Sequence, residues 1–272
     1  MNNKLKISVI MATFNCENTI REAIDSILHQ TYKDWELIVC DDCSTDNTYD
    51  ILQEYEKKNP IKIKLLRNSV NSKLSYSLNR CLKLSSGEYI ARMDGDDISK
   101  LDRLEKQIKY LQSNTNIQLV GTAMRRFSEN GEADVIMPIA KPDKYTLRKT
   151  IPFYHATIMT YKYVYDKLNG YTVSKRTIRS QDRDLWFRFY YSGFSGQNIK
   201  EPLYMVRENI EAIKRRTIKV RWNSYKTTML GYKLLEYPSK WYIWPTFELI
   251  YKIFIPDTFI VLYRSCQKRN LR

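Results

Sequence analysis

The amino-acid sequence predicts an α/β fold: a mostly parallel sheet flanked by helices, followed by a helical, basic and aromatic C-terminal extension. Strand and helix patterns alternate over roughly the first 115 residues. The apolar runs at residues 6–12 and 36–40 have the continuous pattern of strands that are buried on both faces. From Glu201 to the end, 14 Lys and Arg stand against 6 Asp and Glu and are mixed with Trp and Tyr.

The first half is expected to contain four strand–helix units. The first helix should begin near Asn18 or Thr19, which are good N-caps, and its apolar residues recur at helical spacing: Ile20, Ala23, Ile24, Ile27 and Leu28. The other elements follow in order: a helix after residues 44–46, a strand at 61–66, a helix marked by Leu74, Leu78 and Leu82 and closed by residues 85–87, a strand from Tyr89 into an acidic turn, and a helix carrying Leu104, Ile108 and Leu111.

The second half has a less regular pattern. It predicts a strand at residues 118–127, a turn at Asn130 and Gly131, a strand at 156–161, a turn at 168–171, a helix opened by residues 181–184, and a last strand at 203–206. We expect one α/β domain over residues 1–210, with halves at 1–115 and 116–210, and a helical extension over 211–272.

Composition limits the classes of function. The formal net charge of +15 predicts an anionic partner, which could be a nucleic acid, a phosphorylated ligand or an acidic membrane surface. Five scattered cysteines argue against a disulfide framework. We expect no signal peptide, and charges and a proline interrupt residues 241–263, so a simple transmembrane helix is not predicted.

Polar residues follow three of the predicted strands. Residues 13–17 follow the first strand, Asp41 and Asp42 the second, and Asp94, Asp96 and Asp97 the fourth. The carboxyl ends of parallel strands meet at one edge of a sheet, where ligands bind. Crowded carboxylates repel each other unless a cation is present, and hard oxygen ligands suit Mg²⁺ or Mn²⁺. Neither a dinucleotide fingerprint nor a Walker A sequence follows the first strand.

Several motifs, taken in order, resemble those of the family 2 glycosyltransferases, whose catalytic domain has the GT-A fold. The matching segments lie within residues 5–210: residues 8–15, 26–32, 36–46, 86–91, 94–97, 152–157 and 181–186. The resemblance implies an inverting transfer of a sugar from a nucleotide-sugar, with residues 1–115 binding the nucleotide and residues 116–210 the acceptor. The extension resembles those of bacterial members that build surface polysaccharide.

The resemblance also implies roles for individual residues. Asp182 would be the catalytic base, and Asp96 with Asp94 would hold Mn²⁺ or Mg²⁺ on the donor diphosphate. Asp42 would accept a hydrogen bond from the base, most often uracil. The residues implied in nucleotide-sugar binding are Thr13, Phe14, Asn15, Glu17, Asp42, Asp94 and His155.

The chain departs from the family pattern at two positions. Gln181 stands where a Glu usually precedes the base, which puts the base chemistry on Asp182 alone. Lys73 stands where the loop before the third helix usually has Gly, and it would alter the approach to the nucleotide or add a cation near the phosphates. Of the flanking arginines, Arg188 is expected to form a structural ion pair, whereas Arg179 or Arg183 could hold an anionic acceptor.

Three other functions remain open at this point. A catalytically silent partner subunit would account for Gln181. A nucleotidyltransferase that makes nucleotide-sugars would share the fold, but it should carry a Gly-rich loop, and residues 13–17 contain no Gly. A nucleic-acid-binding protein would account for the charge, but carboxylates at three strand ends would repel phosphate without a metal.

The expected partners follow from the resemblance and the basic tail. They are a UDP-linked donor, a lipid-linked or growing glycan acceptor, an anionic membrane surface bound through the extension, and a second copy of the chain in a homo-oligomer; nucleic acid is not expected. The expected location is the inner face of the cell membrane, with the protein bound peripherally from the cytoplasm.

Overall fold

The strands that carry the predicted site are built from apolar residues and are almost wholly buried. In the computed structural model, which describes residues 6–128, 131–208 and 217–254, side chains are described as far as residue 250. The strands are β1 (Ile7–Thr13), β2 (Trp35–Asp41), β3 (Ile63–Arg67), β4 (Tyr89–Asp94), β5 (Ile98–Ser99), β6 (Leu119–Ser128), β7 (Gly131–Ile136), β8 (Met159–Tyr161) and β9 (Gly196–Arg207).

The helices alternate with these strands in the first half and cluster in the second. They are α1 (Ile20–Leu28), α2 (Thr48–Lys58), α3 (Leu74–Leu84), α4 (Arg103–Ser113), α5 (Lys162–Leu168), α6 (Gln181–Tyr191), α7 (Ile218–Leu234) and α8 (Ile243–Phe254). Within the described residues, none of these helices is long and apolar enough to cross a lipid bilayer.

The described strands form one sheet in the order β3-β2-β1-β4-β8-β6-β9-β5, with β7 paired to β6. The strands β3, β2, β1 and β4 run parallel, as the alternating pattern predicts. The next strand, β8, is antiparallel to β4 and to β6, and β9 is parallel to β6. The mostly parallel α/β sheet is therefore confirmed, and it becomes mixed beyond β4.

One predicted element of the second half was wrong. Residues 156–161 were expected to form one strand, but a 3-10 turn occupies His155–Thr157 and the strand begins only at Met159. The Thr157 hydroxyl donates to the carbonyl of Tyr154 at 2.9 Å, and a local bond of this kind favours a turn over an extended strand. The last strand is longer than predicted, and the turn predicted at Asn130 lies partly outside the described residues.

The described part of the C-terminal extension packs on the rest of the protein. Gly231 in α7 faces the ring of Phe187 in α6 so closely that an added Cβ would lie 2.1 Å from the ring. Tyr232 is 2% exposed and packs edge-on against the same ring, at 6.0 Å between centroids. The helix α7 is therefore seated on the helix whose first turn holds Asp182.

Candidate active site

The carboxyl ends of three neighbouring strands meet at one edge of the sheet. In the parallel ladders around the central strand β1, Thr13 is paired with Asp41 of β2, and Ala12 is paired with Asp94 of β4. The register thus brings Thr13, Asp42 and the acidic turn after β4 to the same edge, as the sequence predicts.

The acidic turn gathers three carboxylates into one small volume. One oxygen from each of Asp94, Asp96 and Asp97 lies within 4.8 Å of the others. Burial and the neighbouring Asp94 raise the pKa of Asp96, and burial with both neighbours raises the pKa of Asp97 further. An added Cβ on Gly95 would lie 2.9 Å from the Thr13 methyl group, so glycine lets the turn pack against the end of β1. The donor set fits a hard divalent cation.

The three carboxylates have different surroundings. Asp97 is 3% exposed, and its Oδ1 accepts the backbone N–H of Arg207 at 2.8 Å. The guanidinium of Arg207 also donates to the carbonyl of Asp96 at 3.0 Å, so the end of β9 supports the turn. Asp94 and Asp96 are less buried than Asp97, and they are the two residues that the sequence assigned to a metal.

Sequence reasoning missed the buried guanidinium of Arg92. It is 3% exposed and forms an ion pair with Asp94; burial lowers its pKa, but the charge of that carboxylate outweighs burial and raises the pKa overall. The side chain also interacts electrostatically with Asp182 and His155. A single Arg inside the apolar run of β4 was the available signal, because a buried charge needs a partner. Arg92 links the acidic turn to the helix α6.

Asp182 lies at the start of α6 and is partly buried. Burial raises its pKa, while the backbone N–H of Arg183, at 2.7 Å from Oδ1, and the charges of Arg183 and Arg92 oppose that increase. A carboxylate with a raised pKa holds a proton more readily than a solvated one, which suits a general base. Arg92, which pairs with Asp94, is also close enough to Asp182 for its charge to lower the pKa of that carboxyl group.

The neighbouring Asp184 is part of a structural ion-pair network. It accepts from Thr172 at 2.7 Å and pairs with Arg176 at 2.7 Å and with Arg188 at 2.9 Å. Burial would raise the pKa of Asp184, but these partners outweigh burial and lower it. The expected structural role of Arg188 agrees with this geometry. Arg183 points toward the C-terminal helices, with a guanidinium nitrogen 3.5 Å from the Thr228 hydroxyl.

His155 lies in the 3-10 turn beside the same cluster. Its Nε2 is 2.8 Å from the hydroxyl of Tyr171, which is in turn 2.7 Å from the hydroxyl of Tyr165. Burial, and then the charge of Arg92, lower the pKa of His155 well below its usual value. The imidazole is therefore neutral at pH 7.

The loop after β1 is hydrogen bonded to the loop after β2. The Asn15 side chain accepts the Thr45 N–H at 2.9 Å, and the Glu17 carboxylate accepts from the backbone N–H of Asn47 at 3.1 Å. Phe14 is 45% exposed beside them, whereas the Thr13 side chain is buried. Of the predicted nucleotide contacts in this loop, Phe14 is thus the most accessible side chain that is not used in loop-to-loop hydrogen bonds.

Asp42 is buried beneath the loop that leads into α3. Its Oδ1 accepts from the Asn68 amide at 2.6 Å and from the Ser72 N–H at 2.8 Å, and its Oδ2 accepts from the Lys73 N–H at 2.8 Å. A carboxylate offers about four acceptor positions, so about one remains for a ligand.

The family model for "Glycosyl transferase family 2" matches residues 8–168, which include β1, β2, β4 and the acidic turn. The chain belongs to glycosyl transferase family 2. A curated relative, the putative glycosyltransferase EpsE of Bacillus subtilis, is 42% identical over 270 residues, covering 99% of this chain and 97% of EpsE.

Two further relatives are enzymes of Escherichia coli. The O-antigen biosynthesis glycosyltransferase WbnJ is 38% identical over 190 residues, covering 67% of this chain and 70% of WbnJ. WfgD, a UDP-Glc:alpha-D-GlcNAc-diphosphoundecaprenol beta-1,3-glucosyltransferase, is 37% identical over 145 residues, covering 53% of this chain and 54% of WfgD.

Solved structures of similar shape confirm the predicted GT-A fold. The S. aureus TarS 1–349 complex with UDP-GlcNAc superposes with a TM-score of 0.71 at 18% identity, covering 86% of this chain and 67% of that TarS fragment. PcManGT, a mannosyltransferase of Pyrobaculum calidifontis solved with GDP-Man and Mn²⁺, gives a TM-score of 0.60 at 17% identity, covering 96% of this chain and 79% of PcManGT.

Proposed function

We propose that this glycosyltransferase transfers a sugar, with inversion, from a UDP-sugar to a lipid-linked or growing glycan in surface-polysaccharide synthesis. The observation that supports the proposal is the acidic turn at the carboxyl edge of the sheet, where Asp94, Asp96 and Asp97 lie within 4.8 Å of one another and Arg92 pairs with Asp94 while its charge also acts on Asp182. The family match supplies the class of reaction.

Asp94 and Asp96 would hold the divalent cation, because Asp97 is already anchored to β9. A bound Mn²⁺ or Mg²⁺ supplies charge stabilisation for the departing nucleoside diphosphate. The Mn²⁺ in the PcManGT structure supports this expectation. Arg92 holds Asp94 from the buried side and so limits the positions that its carboxylate can adopt.

Asp182 acts as the general base. A sugar hydroxyl is a poor nucleophile, so the Asp182 carboxylate takes its proton as the oxygen attacks the anomeric carbon. The bond between that carbon and the diphosphate oxygen breaks on the opposite side, which inverts the configuration. Neutral His155 adds no charge to the site and stays hydrogen bonded to Tyr171.

The nucleotide is proposed to be uridine diphosphate. With three protein donors on Asp42, the one remaining acceptor position matches the single imide N–H of uracil better than the two adjacent donors of guanine. The UDP-Glc in the name of WfgD and the UDP-GlcNAc bound to TarS support this choice, and the diphosphoundecaprenol in the name of WfgD supports a lipid-linked acceptor.

An anionic membrane surface is proposed as the partner of α8, which would place the protein on the cytoplasmic face of the cell membrane. The residues Ile243, Trp244, Phe247 and Ile250 lie on one face of the helix and are 71%, 60%, 56% and 50% exposed, while Leu249 on the other face is 8% exposed. Such a face suits the interfacial region of a bilayer, and the net charge of +15 favours anionic lipids.

Nucleoside diphosphate release tests the proposed reaction. The full chain is incubated with Mn²⁺, a panel of nucleotide-sugars and a lipid-linked acceptor, and we expect UDP release from one UDP-sugar. Binding of a donor with no release, even with acceptors present, would instead favour the silent partner subunit that Gln181 motivates. Formation of a nucleotide-sugar from a nucleoside triphosphate and a sugar 1-phosphate, with release of pyrophosphate, would favour the nucleotidyltransferase.

Vesicle sedimentation tests the membrane contact. Truncation would remove the buried Tyr232 and expose the core, so point variants of the full chain are the better probe. We expect Trp244→Ser with Phe247→Ser to weaken binding to phosphatidylglycerol vesicles by about tenfold or more. The control, Ile61→Ser, changes a side chain that is also exposed, at 91%, but is distant from α8 along the chain. If the Trp244→Ser, Phe247→Ser double variant binds the vesicles as strongly as the Ile61→Ser control, the proposed membrane contact is wrong.

A further inference from the structure

Lys73 has a backbone conformation that normally requires glycine. Its φ is 73° and its ψ is 163°, a region that is almost closed to residues with a Cβ. The conformation points the Lys73 N–H at Asp42, whose Oδ2 accepts it at 2.8 Å. Glycine would make the same bond without strain, so the presence of lysine calls for a function of its side chain.

Among the residues that the structure describes, two other cationic side chains near Asp42, those of Arg67 and Arg80, already have partners. Arg67 lies 3.4 Å from the Asp41 carboxylate and stacks over the Tyr49 ring at 4.1 Å. Arg80 donates to the Arg67 carbonyl and to the Asn68 side chain, at 2.7 Å in both cases. The side chain of Lys73, in contrast, is exposed at the rim of the Asp42 site.

The position of Lys73 favours the base over the diphosphate. Asp42 follows β2, and the acidic turn follows β4 on the other side of β1, which separates them by two strand spacings, about 10 Å. A lysine ammonium reaches about 6 Å from its Cα, so it covers the surroundings of Asp42 but not the acidic turn.

We propose that the Lys73 ammonium reads the donor base, by donating a hydrogen bond to a carbonyl oxygen next to the N–H that Asp42 accepts. This inference rests on the proposed function. An imide edge presents acceptor, donor and acceptor in a row, so its complement is a carboxylate flanked by a donor. Cytosine, which has an amino group in place of one carbonyl and no N–H at the ring position, does not match this pair.

Equilibrium binding of UDP, UMP and uridine to the full chain tests the proposal, with Lys73→Ala, Lys73→Arg and Lys73→Gly compared with wild type. We expect Lys73→Ala to weaken all three ligands by a similar factor, about 5- to 30-fold, because one charge-assisted hydrogen bond to the base is lost. Lys73→Arg keeps a cation and should stay within about threefold of wild type. The control, Lys83→Ala, removes an exposed charge from the far end of α3.

Lys73→Gly distinguishes the effect of the side chain on ligand affinity from the effect of the strained backbone on stability. It should lose as much affinity as Lys73→Ala, yet its melting temperature should rise by roughly 2–8 °C because the strain is relieved, whereas Lys73→Ala keeps the strain. If Lys73→Ala binds UDP as tightly as wild type does, and wild type turns over a UDP-sugar, the proposed role of Lys73 is overturned while the proposed function stands. A loss for UDP but not for uridine would assign the side chain to phosphate and also overturn it. Failure of wild type to bind UDP would overturn the proposed function as well.

Discussion

Asp182 and Asp184 lie two residues apart at the start of α6, and their surroundings predict opposite effects of the same substitution. Asp182→Asn removes the proposed base and should lower kcat by about 10²- to 10⁴-fold. The folded state raises the pKa of Asp182, so its ionised form destabilises the fold at pH 7. The melting temperature of Asp182→Asn should therefore be equal to or higher than that of wild type.

Asp184→Asn should instead destabilise the protein. The carboxylate is 7% exposed and pairs with Arg176 and Arg188, whose side chains are 27% and 22% exposed. Breaking a fully buried pair costs about 3–5 kcal/mol, and partial solvation of the guanidiniums reduces this to about 2–4 kcal/mol. At about 2–4 °C per kcal/mol, the melting temperature should fall by roughly 4–16 °C.

Differential scanning fluorimetry and initial rates at 20 °C measure both variants with the same preparation. We expect Asp182→Asn to lose turnover without losing stability. We expect Asp184→Asn to lose stability while it retains turnover. A folded Asp182→Asn that turns over within about threefold of wild type would refute the assignment of the base.

Three other predictions follow from the same structure. Burial raises the pKa of Asp182, so the acidic limb of the kcat–pH profile should have an apparent pKa above the usual value for Asp, about 3.9. Activity should be lost as the pH falls through this apparent pKa, and a flat profile down to pH 4 would contradict the prediction. Arg92→Met should lower kcat and weaken Mn²⁺ activation, because Asp94 loses the ion pair that limits the positions of its carboxylate; calorimetric Mn²⁺ titration of the folded variant checks this, and unchanged affinity would count against it. Gly231→Ala should destabilise the protein by about 1–3 kcal/mol, because the new methyl group would meet the Phe187 ring. The control Leu230→Ala changes a side chain that is 52% exposed and should alter stability by under about 0.5 kcal/mol. Urea unfolding measures both variants, and similar unfolding midpoints would show that α7 does not pack closely on α6.

The sequence predicts the first half of the sheet well because β1, β2 and β4 are mostly apolar and end in polar residues. Their parallel arrangement places Asp42 and the acidic turn at the same edge of the sheet. The 3-10 turn at His155–Thr157 could not be predicted, since its apolar and β-branched residues fit a strand equally well and a local hydroxyl bond decides the conformation.

The buried charges of the site are the other part that the pattern leaves out. Arg92 and Arg103 lie 3% and 0% exposed, and Arg103 donates to the Arg92 carbonyl at 2.7 Å while it stacks over Tyr204. Local sequence does not show which charged side chains point inward, because burial depends on partners that are distant along the chain. The anchoring of Asp97 by Arg207, 110 positions away, was hidden for the same reason.

The most direct test of the account is UDP release from a UDP-sugar by wild type, by Asp96→Asn and by Asp182→Asn, each with Mn²⁺ and with EDTA. The account predicts Mn²⁺-dependent release by wild type, release reduced by about 100-fold or more in both variants, and retained UDP binding in Asp182→Asn. Release by wild type that is equally fast in EDTA, or by Asp182→Asn at the wild-type rate, would contradict it.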